Sequence, residues 1–237
     1  MTSPLIRRFT RNTVGRDFLC GDIHGHVKKL SLAMAAVDYD GSKDRLFLLG
    51  DLVDRGPESD LVLNLLDVPG VYALRGNHDQ WAIDFHEGRA DVRLYARNGG
   101  AWFIGKTPAE RQPFVDAFSA LPLAIELETE HGLLALVHAD SGALRWAPIA
   151  EWLRDPTIPP DILAGLQNVF LWDRSRVDQL DATEVKDVLA VCVGHTPVER
   201  ITSLGNTLYL DTGAWLPRGG DFVLLDASRI RAGGAIA

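Results

Sequence analysis

Asp22-Ile23-His24, Asp51-Leu52-Val53-Asp54-Arg55, Asn77-His78, His138 and His195 each stand at the end of a short apolar run. Carboxylates, imidazoles and an amide oxygen, with no cysteine among them, suit Mn2+, Fe or Zn rather than a thiolate-bound structural zinc. Two such ions about 3.5–4 Å apart can share one carboxylate and clamp the attacking and leaving oxygens of an in-line displacement. Two divalent charges set against Asp22, Asp51 and a bridging hydroxide leave the pocket positive before Arg55 is counted, in a chain of net charge −8. Such a site selects an anion, and a phosphate ester fits both the charge and the two-ion geometry. Each group alone has a plainer explanation: a capped turn at Asp22-x-His24, a turn at Gly76-Asn77-His78-Asp79, a structural histidine at 138, a strand exit at 195. Five such endings in one chain turn the balance towards a site.

The elements that must position these residues follow from the apolar pattern. Residues 17–20, 45–49 and 70–75 read as strands, and four of the five polar endings lie beside a glycine that lets the chain turn sharply. Val27, Leu30, Met34 and Val37 share one helical face, a second helix is expected around Leu61–Leu66, and a third from Gln80. This βαβαβ rhythm implies parallel strands, whose carboxyl ends form the usual binding crevice. Further on, residues 107–121 carry the signature of a capped helix, and 122–128 and 133–138 read as a hairpin turning through 129–132. The proline-containing stretch 147–188 is expected to be loops and short helices, before strands return at 189–194, 207–211 and 221–226. The expected fold is α/β with mixed sheets, in a single domain over residues 1–237.

Composition bounds the function. With 46% hydrophobic and 24% charged residues the chain is an ordinary globular protein, and its acidity argues against a general nucleic-acid or anionic-membrane binder. Two cysteines inside apolar runs, Cys20 and Cys192, read as reduced, buried thiols in a cytoplasmic protein rather than a secreted disulfide framework. No apolar run is long enough for a membrane span. The arginine-containing opening, residues 1–16, reads as an ordinary lead-in to the first strand rather than a targeting segment.

The order GDIHG (21–25), GDLVDRG (50–56), GNHD (76–79), then VHAD (137–140) and VGHTP (193–197), resembles the phosphoprotein phosphatase family of dinuclear metallophosphoesterases. RGNHDQWA (75–82), RNGGAWF (97–103), LPLAIELE (121–128), LWDRSR (171–176) and YLDTGA (209–214) are similar to its bacterial and bacteriophage lambda-type serine/threonine branch. The resemblance runs from Asp17 to Leu225. It implies the calcineurin-like fold, a central β-sandwich of two mixed sheets flanked by α-helices. By the same resemblance Asp22, His24 and Asp51 bind a first metal ion, Asp51 bridges, and Asn77, His138 and His195 complete a second site, usually for Mn2+. His78 becomes the general acid, Asp54 its orienting partner, and Arg55 and Arg174 the phosphoryl holders, with Arg176 competing for the last role. The nucleophile is then a metal-bridging hydroxide and the partner a phosphorylated protein or peptide. The sibling branch of symmetrical diadenosine tetraphosphate hydrolases shares Gly56-Pro57 and GNHD; Asp54 together with NGGAWF and LWDRSR favours the phosphatase branch. The loop 138–146, HADSGALRW, departs from the branch pattern HADYP, so substrate preference does not carry over there.

Overall fold

The computed structural model describes residues 4–237. In chain order its first half comprises β1 (Ile6–Phe9), β2 (Asp17–Cys20), α1 (Val27–Ala36), β3 (Arg45–Leu48), α2 (Val62–Leu66), β4 (Val71–Ala73) and α3 (Asn77–His86). Next come α4 (Val92–Tyr95), α5 (Ala101–Ile104), α6 (Pro108–Ala120), β5 (Ala124–Glu128) and β6 (Leu133–Val137). The remainder is α7 (Ala147–Arg154), α8 (Pro160–Trp172), α9 (Ser175–Gln179), β7 (Ala190–Val193), β8 (Thr202–Leu204), β9 (Thr207–Tyr209) and β10 (Leu225–Asp226).

Two mixed sheets result. The smaller runs β10-β2-β3-β4, with β2, β3 and β4 parallel and β10 antiparallel. The larger runs β1-β5-β6-β7-β9-β8; there β6, β7 and β9 are mutually parallel and the β5–β6 hairpin is antiparallel.

Alternation of side chains along each strand separates three cores. Leu19 and Phe47 of the smaller sheet meet Ile125, Leu136 and Cys192 of the larger one between the sheets. Phe18, Cys20, Leu46 and Leu48 face the other way, onto Leu30 of α1, Ile83 of α3 and Phe118 of α6. Ala135, Val137, Val191 and Val193 point away from the sandwich onto Ile149 and Leu153 of α7 and Phe170 of α8. The layers are therefore helix, sheet, sheet, helix, as expected of the α/β reading. Cys20 and Cys192 lie in different layers as buried free thiols, and burial pushes the Cys192 thiol up to about 12.

Several elements differ from expectation. The third helix begins at Asn77 rather than Gln80, because Asp79 reaches back to accept from Gly76 N at 2.8 Å and closes the helix start around the polar motif. The stretch 147–188 carries short helices as expected, but α8 runs to 13 residues; Pro148 and Pro160 sit in first turns, where a missing N–H costs nothing. The strand expected over 221–226 shrinks to Leu225–Asp226. Of the N-terminal lead-in, residues 1–3 lie outside the described residues, while residues 6–9 form β1, paired parallel to β5. Three of its four arginines pair with carboxylates, Arg8 with Glu128, Arg11 with Glu130 and Arg16 with Asp44, while Arg7 lies against the Phe9 and Tyr72 rings. No helix among the described residues is long and apolar enough to cross a membrane.

Candidate active site

The parallel runs explain why distant residues meet. β2, β3 and β4 are neighbours with one direction, so the turns after them deliver Asp22, His24, Asp51, Asn77 and His78 along one edge. β6 and β7 deliver His138 and His195 from the facing sheet. Close approach of these turns requires glycine, most directly beside two of the carboxylates. A Cβ on Gly76 would lie 2.3 Å from Asp51 Oδ1, and one on Gly194 would lie 2.3 Å from Asp22 Oδ1. The backbone is strained where the chemistry is: His24, Asp51, Asp54, Arg55 and His195 all have positive φ, five of the eight such non-glycine residues described. Each costs about 1–2 kcal/mol, and such strain clusters at functional sites.

Asp51 stands at the centre. Its Oδ1 lies 3.3 Å from His138 Nε2, and its Oδ2 lies 3.5 Å from His24 Nε2. Two candidate ion-binding groups share it: His24, Asp51 and His78 on one side, Asp51, His138 and His195 on the other. Asp22 adds Oδ2 at 3.9 Å from His24 Nε2, while its Oδ1 accepts from His195 N at 2.8 Å.

The imidazoles are held with their lone pairs inward. His24 Nδ1 donates to Val53 O at 2.9 Å and His138 Nδ1 to Leu49 O at 2.7 Å; a carbonyl only accepts, so the proton sits on Nδ1. Burial drives His24, His138 and His195 towards the neutral, metal-binding form, with His195 down to about 3. His138 Nε2 and Asn77 Oδ1, 2.9 Å apart, are then both acceptors, and Asp51 Oδ1 is a third. Acceptors converging without a proton to share are what a cation satisfies. Charge leads to the same conclusion: burial pushes the Asp22 carboxyl up, reinforced by Asp211 and Asp51. The donor set therefore fits divalent metal ions, by geometry, by tautomer and by charge.

His78 is set apart by its partner. Its Nδ1 meets Asp54 Oδ2 at 2.7 Å, and both residues are fully buried. Burial pushes the Asp54 carboxyl up, opposed by its hydrogen bond with His78. Arg55 spans the site mouth, donating to His24 Nε2 at 2.8 Å and to His78 Nε2 at 2.9 Å, with its guanidinium 4.3 Å from the Trp215 ring. Arg174 donates to His195 Nε2 at 3.2 Å from the opposite side. Arg55, His78, Arg174 and His195 line a cleft of about 490 Å3 with Trp81, Trp172 and Asn98 among its walls. Arg176 does not compete there: it is buried, and its Nε donates to Asp140 Oδ2 at 3.0 Å.

All ten expected site residues thus lie in one place. The structure adds residues that were not assigned. Asp211, after β9, is buried beside Asp22 and is pushed up to about 6 chiefly by burial. It was a sixth polar strand ending, inside YLDTGA. Asp79 accepts from Leu52 N and Gly76 N, tying the second and third turns together.

A family model for calcineurin-like phosphoesterases matches residues 18–199. Serine/threonine-protein phosphatase 2 of Escherichia coli (strain K12) is 30% identical over 203 residues, covering 83% of this chain and 87% of that protein. The symmetrical bis(5'-nucleosyl)-tetraphosphatase of Delftia acidovorans (strain DSM 14801 / SPH-1) is 36% identical over 125 residues, 52% of this chain and 43% of that protein. A crystal structure provisionally identified as a diadenosine tetraphosphatase matches with TM-score 0.62 at 19% identity, over 94% of this chain and 98% of that one. The last likeness is one of fold.

Proposed function

The chain belongs to the calcineurin-like phosphoesterase family, and from that premise we propose that it is a metal-dependent protein serine/threonine phosphatase. The observation that carries the reading is the buried His78–Asp54 pair at 2.7 Å, opening on the cleft. A serine or threonine alkoxide is a poor leaving group and needs a proton as the P–O bond breaks. A nucleoside polyphosphate departs as a stabilised anion and needs one far less. A histidine with one nitrogen fixed on a carboxylate and the other facing the cleft, where it can carry a proton once Arg55 turns from it to the phosphoryl group, is the equipment of an alkyl phosphomonoesterase.

In this reading Asp22, His24 and Asp51 would hold one ion, and Asn77, His138 and His195, with Asp51 beside them, would hold a second. The nitrogen-and-oxygen donor set suits Mn2+, Fe or Zn, and the resemblance to the phosphoprotein phosphatases points to Mn2+ among them. When bound, the pair of ions supplies Lewis acidity towards the phosphoryl oxygens and a nucleophile at neutral pH. Arg55 and Arg174 approach from opposite sides and take the remaining phosphoryl oxygens, fixing the ester in line. As the bond to the leaving oxygen breaks, its electron pair stays on that oxygen, which takes the proton from His78 Nε2. Asp54 keeps the other ring nitrogen protonated and the ring aimed. No side-chain nucleophile is required.

The rival reading, symmetrical diadenosine tetraphosphate hydrolysis on the same scaffold, draws on the 36% identity to the Delftia enzyme. Turnover of a phosphothreonine peptide and of diadenosine tetraphosphate by the Mn2+-loaded protein separates the two. The expected result is a higher kcat/KM on the peptide; a preference for the dinucleotide overturns the proposal.

A further inference from the structure

The segment RNGGAWF (97–103) supplies none of the groups used above, yet it touches the acid pair directly. Asp54 Oδ2 is given to His78, and Oδ1 accepts from Trp102 Nε1 at 2.7 Å and Tyr95 OH at 3.3 Å. Both oxygens of a fully buried carboxylate are thereby assigned, one to the acid and one to a pair of aromatic donors. The chain between the two donors is built for this approach. After α4 it passes through a single wide turn, 96–100, in which Gly99 has φ of 102°. A Cβ on Gly99 would lie 2.4 Å from Arg55 N, and one on Gly100 would lie 2.4 Å from the Tyr95 ring. The Trp102 ring is in turn wedged against Phe103 and Phe114, with centroids 5.2 Å away in each case.

We propose that Trp102 and Tyr95 are positioning residues that clamp the Asp54 carboxylate, so that its free oxygen holds His78 in the orientation needed to protonate the leaving oxygen. The proposal rests on the reading of His78 as general acid. A carboxylate free to rotate about χ2 can offer either oxygen, or its weaker lone pairs, to the imidazole. Two donors on Oδ1 remove that freedom, and burial leaves no water to replace them. The same segment packs on the backbone of Arg55, so one element sets both the acid and a phosphate-binding arginine.

The clamp acts through the proton, and its loss is therefore felt in proportion to how much the leaving group needs one. Trp102→Phe keeps the ring packing and removes the donor; His78→Asn removes the acid itself. Both are assayed as Mn2+-loaded full chains on a phosphothreonine peptide and on 4-nitrophenyl phosphate, whose phenolate departs unaided. Trp102→Phe is expected to lower kcat on the peptide about 10-fold and on the aryl ester less than about 3-fold, with KM and bound metal unchanged. His78→Asn should show the same discrimination more strongly, about 100-fold or more on the peptide. Should Trp102→Phe fail to fold, Tyr95→Phe, which deletes one hydroxyl, is expected to show the same selectivity at about 2- to 5-fold. Equal losses on both esters, or none, with His78→Asn still discriminating, overturn the clamp and leave the phosphatase reading intact. If His78→Asn itself fails to discriminate, the acid assignment falls and the clamp with it.

Discussion

Asp51 gives its two oxygens to different neighbourhoods, Oδ1 towards His138 and Oδ2 towards His24, while its Oδ1 also accepts from His78 N at 2.9 Å. A carboxylate placed between two ligand groups must affect both. Asp51→Asn keeps the shape, removes the charge and turns one acceptor into a donor facing imidazole lone pairs. Titration calorimetry with Mn2+ is expected to show affinity falling at least about 10-fold in both binding steps. If one step keeps its wild-type affinity, Asp51 does not serve both positions. At this scale the sequence was highly legible, since candidate metal ligands are picked out by donor chemistry, and the residues so picked do meet in one place. Asp211 and the donors to Asp54 were less so. Aromatic residues at 95 and 102 look like core, which they also are, and only three-dimensional proximity shows that their polar atoms reach a carboxylate.

Elements explain why two neighbouring arginines have different jobs. Arg174 sits at the start of α9 and faces the cleft, whereas Arg176 turns inward and ties α9 to the turn after β6 through Asp140. Its Nη1 also donates to Thr183 O at 2.8 Å. Removing one partner of a buried ion pair strands the other, at a cost of about 3–5 kcal/mol. Arg176→Met is expected to destabilise by about that amount in urea unfolding, and Arg174→Ala by under about 0.5 kcal/mol while raising KM for the phosphoester. The reverse assignment of the two effects rejects this division. The sequence showed both arginines and could not separate them, because facing direction on a five-residue helix has no periodic signature. The parallel βαβαβ start was legible from its apolar runs. Short helices were expected within 147–188, but their bounds and the length of α8 were hidden because the prolines read as breakers until their first-turn positions are seen. β1 was hidden because Arg7 and Arg8 are exposed in an edge strand of which only Ile6 is buried.

For the whole molecule, net charge and burial meet in one consequence. The chain carries −8, and Asp22, Asp51, Asp54, Asp79 and Asp211 are all almost completely buried around the site. Against them stand Arg55 and Arg174, both lining the cleft, and imidazoles that burial keeps uncharged. Crowded carboxylates of this kind oppose the folded state unless cations offset them. A ligand that binds only the folded chain stabilises it by RT ln(1 + [L]/Kd), about 2.7 kcal/mol per site at 100 times Kd. For a chain of this length that corresponds to a rise in Tm of roughly 5–10 °C per occupied site. Scanning calorimetry with increasing Mn2+ is expected to show Tm climbing with concentration, and chelator to bring it down. Asp51→Asn should flatten the dependence. The decisive comparison is between activity and Tm over the same Mn2+ titration. Activity that saturates while Tm stays constant would place the functional ions outside this buried cluster, and the two-sided role given to Asp51 would fail with it.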